Sequence, residues 1–147
     1  MGNMGWISRI RNKDDRGAQL IEFALLAPLL LLLVLGIIEF GWLFSQNNDV
    51  RHGAREGARA AAVNLGDNAT LRAATCDSMD LTSPVEVAFT DGSGVGTYGT
   101  VTVVATPSSL SGLGWIEVFL PDTLTSEVEF RLEQPSDDWA TDSLTSC

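Results

Sequence analysis

The sequence predicts an α+β protein in which a long N-terminal transmembrane helix, the stem, carries a small C-terminal antiparallel β-sheet domain. Three observations predict it. From Phe23 to Phe44 the only ionisable residue is Glu39, and a bilayer core takes about 20 apolar residues as helix. After Phe44 a helical repeat continues to Val63. Beyond Asn64 apolar residues alternate with polar ones, the two-residue period of half-buried strands. Of the 147 residues, only 64–147 remain for an extracytoplasmic α+β head, a size at which one core is marginal and staples are common.

The first element is a basic leader, residues 1–17. It carries Arg9, Arg11, Lys13 and Arg16 against Asp14 and Asp15. From Ala61 onward there are thirteen acids and only Arg72 and Arg131, which accounts for most of the net charge of −10. A basic flank stays in the cytoplasm, so the single pass runs from N-terminus inside to C-terminal domain outside. The acidic domain is no partner for nucleic acid, whose binding rests on clustered Lys and Arg. A secretory signal has an apolar core of about 7–15 residues closed by a small-residue cleavage site. Here the run is longer and the A-x-A matches near Ala58–Ala62 lie far past its end, which disfavours conventional cleavage.

The stem follows as one helix over residues 18–63, about 69 Å at 1.5 Å per residue, with the transmembrane part at about 20–44. Inside it, Pro28 removes a donor and crowds the carbonyl of Ala24, so a kink or an unwound turn is expected. The outer part repeats at four residues: Arg51, Arg55 and Arg59 form one lane, Gly53, Gly57 and Ala61 a second, and Ala54, Ala58 and Ala62 a third. Interior Gly53 and Gly57 each cost about 1 kcal/mol relative to Ala. Their compensation is a close approach, either by this chain's own sheet or by a neighbouring stem. The plainer alternative is an Ala-rich soluble helix with Glu56 paired to Arg59.

In the head, Val85, Val87 and Phe89, then Val101 and Val103, then Val128, Phe130 and Leu132 mark three strands. The loop DGSGVGTYG joins the first two as a hairpin, with glycine supplying positive φ. SSLSGLGWIEVFLP, between the second and third, reads as a short helix or helical turn ending before Pro121, and PSDDWATDSLTSC as a solvated acidic tail anchored by Trp139. A small sheet needs a cover on its apolar face, and the outer stem is the long helix available.

Both cysteines, Cys76 and Cys147, lie on the oxidising side. One disulfide tying Cys147 back to the domain is the economical pairing, and free or intermolecular thiols are the alternative. No cofactor or metal is expected, and no enzyme. The lone histidine, His52, sits beside Glu56 without a second ligand group at zinc spacing. The glycines at 92, 94, 96 and 99 lead into a strand, whereas a phosphate loop opens a helix. Asp137, Asp138 and Asp142 lack an ordered calcium pattern.

Two acids interrupt the apolar run. Glu22 lies about 6 Å along the helix from Ala18 and can reach the headgroups, and Glu39 can do the same at the far end. Position alone does not account for what surrounds Glu22: a basic leader, Gly17, then Ala18, Gln19, Leu20 and Ile21, then the acid, then the long apolar run.

That constellation resembles the prepilin processing site of type IV pilin-like proteins. GAQLIEFALLAPLLLLLVLGIIEFGWLF followed by AREGARAAAV resembles the TadE-like family of the tight-adherence (Flp) pilus system, over residues 17–63. Phe23 stands where major Flp pilins carry tyrosine, which favours the minor, TadE-like class. The resemblance implies cleavage by a membrane prepilin peptidase between Gly17 and Ala18, and roles in processing and assembly for Glu22 and Phe23. It implies other pilin or pseudopilin subunits, an inner-membrane platform with its secretion machinery, and membrane lipid as partners. It also implies a place in the bacterial cytoplasmic membrane, then in a pilus or at the cell surface, in adhesion and biofilm formation. Cleavage would leave a charged amine on Ala18, with a reference pKa of about 8, and a neighbour's Glu22 could pair with it in an apolar bundle. The rival expectation is a single-span anchored surface binding protein that is never processed.

Overall fold

A computed structural model describes residues 14–81, 83–112, 114 and 118–147. The basic residues Arg9, Arg11 and Lys13, and part of the short helix expected before Pro121, lie outside the described residues. The chain divides into two compact units, one ending at Ile38 and the other Glu39–Cys147. Helix α1, Asp14–Ala62, supplies the described part of the first and enters the second.

In the first unit α1 continues through Pro28 as α-helix, so of the two expected outcomes the unwound turn does not occur. The large apolar side chains from Leu20 to Leu35 are exposed. The helix is long and apolar enough to cross a membrane, and its most apolar window is wholly unburied within the protein. That distribution suits a helix whose solvent is lipid, because lipid-facing side chains need no protein cover.

The second unit is an antiparallel sheet covered by helices. β1 (Val85–Thr90), β2 (Tyr98–Ala105), β3 (Leu124–Arg131) and β4 (Thr145–Ser146) form one sheet in the order β3-β2-β1-β4. Val87 lies opposite Val103, Phe89 opposite Val101, and Val101 opposite Val128. The alternation places Val85, Val87, Phe89, Val101, Val103 and Ala105 in the core, as the two-residue period requires. The β1–β2 hairpin turns through positive φ at Ser93, Gly94 and Gly96.

Val50, Ala54, Ala58 and Ala61 of α1 belong to the same core, while Arg51, Arg55 and Arg59 face solvent. The helix ends in paired bonds from Asn64 N–H to the Ala61 carbonyl and from Leu65 N–H to the Ala60 carbonyl. Asn64 takes the left-handed conformation, φ 51°, which is the pattern that closes orphan carbonyls at a helix end.

The sequence reading missed two elements. α2 (Asn68–Asp77) starts at Asp67, whose side chain accepts the Thr70 N–H, and buries Leu71 and Thr75. β4 is the fourth strand, pairing Thr145 and Ser146 with Val87 and Glu86. Of the short helix or helical turn expected over this stretch, Gly114 is helical and Val118 and Phe119 form a turn, whereas Ser108–Gly112 form no helix. The N–H groups of Ser108, Leu110 and Ser111 donate to side chains of α1, so they do not serve a helix of their own.

Candidate functional site

Gly17, Ala18, Glu22 and Phe23 lie in the first turns of α1, all exposed. Ala18 and Glu22 are four apart and so share one face. A Cβ built on Gly17 would meet nothing within 4 Å. Packing among the described residues therefore does not explain the glycine. Glu22 likewise makes no ion pair or hydrogen bond among the described residues.

Glu39 behaves differently from Glu22, and the reading that it reaches the headgroups is corrected. It is 3% exposed. Its Oε1 accepts the Leu110 N–H at 2.9 Å and its Oε2 the Ser111 N–H at 3.2 Å. Two turns on, Gln46 is buried as well. Its Nε2 donates to the Ser108 carbonyl at 2.9 Å and its Oε1 accepts the Ser108 N–H at 2.9 Å. Two polar side chains of α1 thus satisfy four backbone groups of the β2–β3 loop. Buried polar atoms that are fully paired in this way fix one geometry.

Further along the same face lie the two glycines. A Cβ on Gly53 would collide with the Met79 side chain, and one on Gly57 would come within 2.5 Å of Thr75 Oγ1 and 3.3 Å of Val101 Cγ1. Of the two partners left open by the sequence, the chain's own head fills this lane. Met79 follows α2, Thr75 lies in it, and Val101 lies in β2. Glu39, Leu43, Gln46, Val50, Gly53, Gly57 and Ala60 are spaced alternately by four and three residues. This spacing, visible in the sequence, is the signal that would have marked Glu39 and Gln46 as inward-facing.

The tail is held at several points. Cys76 and Cys147 form a disulfide across 71 residues. Trp139, 3% exposed, packs its ring near Phe89 and Phe130, with centroids 6.2 and 6.1 Å away. The tail is not simply solvated acid. Asp142 accepts the Phe89 N–H at 2.7 Å, pairs with Arg72 at 2.6 Å and accepts from Asn68 at 2.9 Å. Asp138 accepts from Asn64. Asn68 also closes a two-way amide pair with the backbone of Ala140.

The remaining candidates stand apart from these groups. His52 is exposed, and Glu56 meets Arg59 at 3.2 Å as an exposed pair, worth little on its own. At Asp67 the Thr70 hydroxyl, and then the Thr70 N–H, hold the carboxyl below its usual range.

Chemically, this arrangement offers an acid with no partner among the described residues near the start of an exposed apolar helix, and a head latched to that helix farther along. No curated protein and no solved structure matches the chain. The model of the family described as TadE-like protein matches residues 17–59, so the chain is similar to that family over the apolar run and the glycine-lined helix beyond it.

Proposed function

We propose that this protein is a minor pilin-like structural subunit of a bacterial tight-adherence, Flp-type pilus or a related secretion apparatus. Prepilin peptidase cuts it between Gly17 and Ala18, and it assembles through its N-terminal helix with other pilins on an inner-membrane platform. The observation that carries this reading is the TadE-like match at residues 17–59, which begins at the glycine of the cleavage site. Two structural facts support it: among the described residues nothing packs where a Gly17 Cβ would stand, and Glu22 has no partner there.

In this reading the amine freed on Ala18 and a neighbour's Glu22 pair inside an apolar bundle. Each charge then has the partner that burial demands, and the pairing sets the register between subunits. The head contributes shape and a disulfide rather than catalysis.

Intact mass and N-terminal sequencing of the protein from native membranes test the first step. A chain beginning at Ala18 is the expected result. A chain that keeps its basic leader, in cells with an active prepilin peptidase, overturns the reading in favour of an unprocessed anchored protein.

A further inference from the structure

We infer that the free edge of β3 takes a strand from another protein, one that alternates basic and apolar residues. Every residue involved lies within Glu39–Cys147. The Leu132 N–H donates to the Thr97 carbonyl and the Leu132 carbonyl accepts the Gly96 N–H, so Leu132 bonds on the β2 side. Bonds to one neighbour recur at every second residue of an antiparallel strand. Leu124, Ser126, Val128 and Phe130 therefore bond β2, and the N–H and C=O groups of Thr125, Glu127, Glu129 and Arg131 point the other way. None of those four backbones has a hydrogen bond on that side among the described residues. The next outward N–H, that of Glu133, donates to the Ala62 carbonyl at 2.9 Å, which ends the open row.

The opposite edge of the sheet is closed by the tail. Along β1 the Val85 carbonyl accepts the Cys147 N–H, Val87 pairs with Thr145, and Phe89 exchanges bonds with Asp142. Proteins blunt a free edge with proline, a bulge, a short strand or charge. β3 has no proline, keeps unbroken register with β2 from Leu124 to Arg131 and is as long as β2. Charge is what remains. Glu127 and Glu129 are exposed on the face away from the core, while Ser126 and Val128 are half-buried on the core side.

These two acids decide the occupant. A second copy's β3, added antiparallel with most of its length in register, sets Glu127 opposite another Glu127 or a Glu129, and like charges directly opposite destabilise a strand pair. This chain's described bases offer no other strand, since all but Arg131 lie on α1 and α2. A strand with Lys or Arg beside Glu127 and Glu129 and apolar side chains beside Val128 suits both faces, and its backbone pairs the open row.

Hydrogen exchange of the full chain in detergent micelles, read amide by amide by NMR, tests it. The probe is a peptide of β3's length that alternates lysine and valine. One control has the same composition with its lysines in one block, and the other carries glutamate in place of lysine. The alternating peptide should slow exchange severalfold at Thr125, Glu127, Glu129 and Arg131 and leave Ser126, Val128 and Phe130 as protected as before. Its affinity should exceed that of either control tenfold or more. The pair Glu127→Lys and Glu129→Lys should reverse the order in favour of the glutamate peptide, and the milder pair Glu127→Gln and Glu129→Gln should level it.

Failure of the alternating peptide to bind, or equal binding by the blocked one, overturns the inference. Binding without slowing at those four amides also overturns it and leaves only charge attraction to the acidic head. Protection of the four without peptide, rising with protein concentration, overturns the choice of partner and assigns the edge to a second copy.

Discussion

Glu39 and Leu110 stand 71 residues apart, and the carboxylate of the first accepts the backbone N–H of the second at 2.9 Å. With Ser111 on the other oxygen, this one acid fixes where the β2–β3 loop leaves the stem. Glu39→Ala removes both acceptors and leaves two backbone donors to find others. A loss of about 2 kcal/mol is expected, with faster proteolysis within residues 106–122. Glu39→Gln keeps one acceptor oxygen and should lose less. Thermal unfolding in detergent, read beside the proteolysis rate, checks both, and wild-type behaviour of Glu39→Ala would remove the latch.

The disulfide closes a long loop between Cys76 in α2 and Cys147 just beyond β4. In the chain-entropy account a loop of that length stabilises by about 4 kcal/mol. Cys147→Ser, or reductant on the wild type, should lower the denaturation midpoint to a similar extent. Because the Cys147 N–H donates to the Val85 carbonyl, hydrogen exchange at that amide should rise before exchange in β2.

How much of this was legible in the sequence depends on the range of each interaction. The apolar run, the alternation at Val85–Phe89 and Val128–Leu132 and the anchoring role of Trp139 are local patterns and could be read directly. α2 was not, because it is one short helix with a single large buried apolar residue, Leu71, so its period has almost nothing to repeat. β4 is two residues long, too short for an alternation, and the bridge at Cys147 sets its place. The partners of Glu39 and Gln46 are set by tertiary contact: spacing gives the face of a helix but not what covers it. The same limit kept Ser108–Gly112 out of the short helix or helical turn expected before Pro121, since propensity yields to side chains that satisfy the backbone from outside.

The two stem glycines should separate on substitution. Gly53→Ala has the flexible Met79 side chain as its nearest neighbour, and a helix-propensity gain of about 1 kcal/mol offsets its displacement. Gly57→Ala meets Thr75 Oγ1, which is already donating to the Leu71 carbonyl at 2.8 Å inside α2. Moving that residue disturbs a buried bond and the Val101 contact together, at about 1–3 kcal/mol. Equal denaturation midpoints for the two variants would contradict this account.

Asp67 gives the head a modest acid sensitivity. The Thr70 hydroxyl and N–H favour its carboxylate and lower its pKa from 3.8 in the folded state. The native state then binds fewer protons than the unfolded chain, so the contribution is present above the unfolded value and fades as pH falls through the folded one. Asp67→Asn keeps a capping oxygen without a titrating group. Stability curves of the two proteins should converge or cross below about pH 4, and curves that stay parallel into acid would show that Asp67 does not titrate differently on folding.

Glu22 separates folding from assembly. It is exposed in α1 and has no partner among the described residues, so Glu22→Ala and Glu22→Gln should leave membrane insertion, disulfide formation and head stability at wild-type values. If a neighbour's Ala18 amine is the missing partner, both variants lose the charge that pairs with it. Both should then reduce co-purification with other pilins by tenfold or more, about 1.4 kcal/mol per decade, while processing at Gly17 is scored separately by mass. Glu22→Asp, with its shorter reach, should fall between. Undiminished assembly of Glu22→Ala would place the acid at the lipid interface and leave the registering charge to be sought elsewhere on the stem.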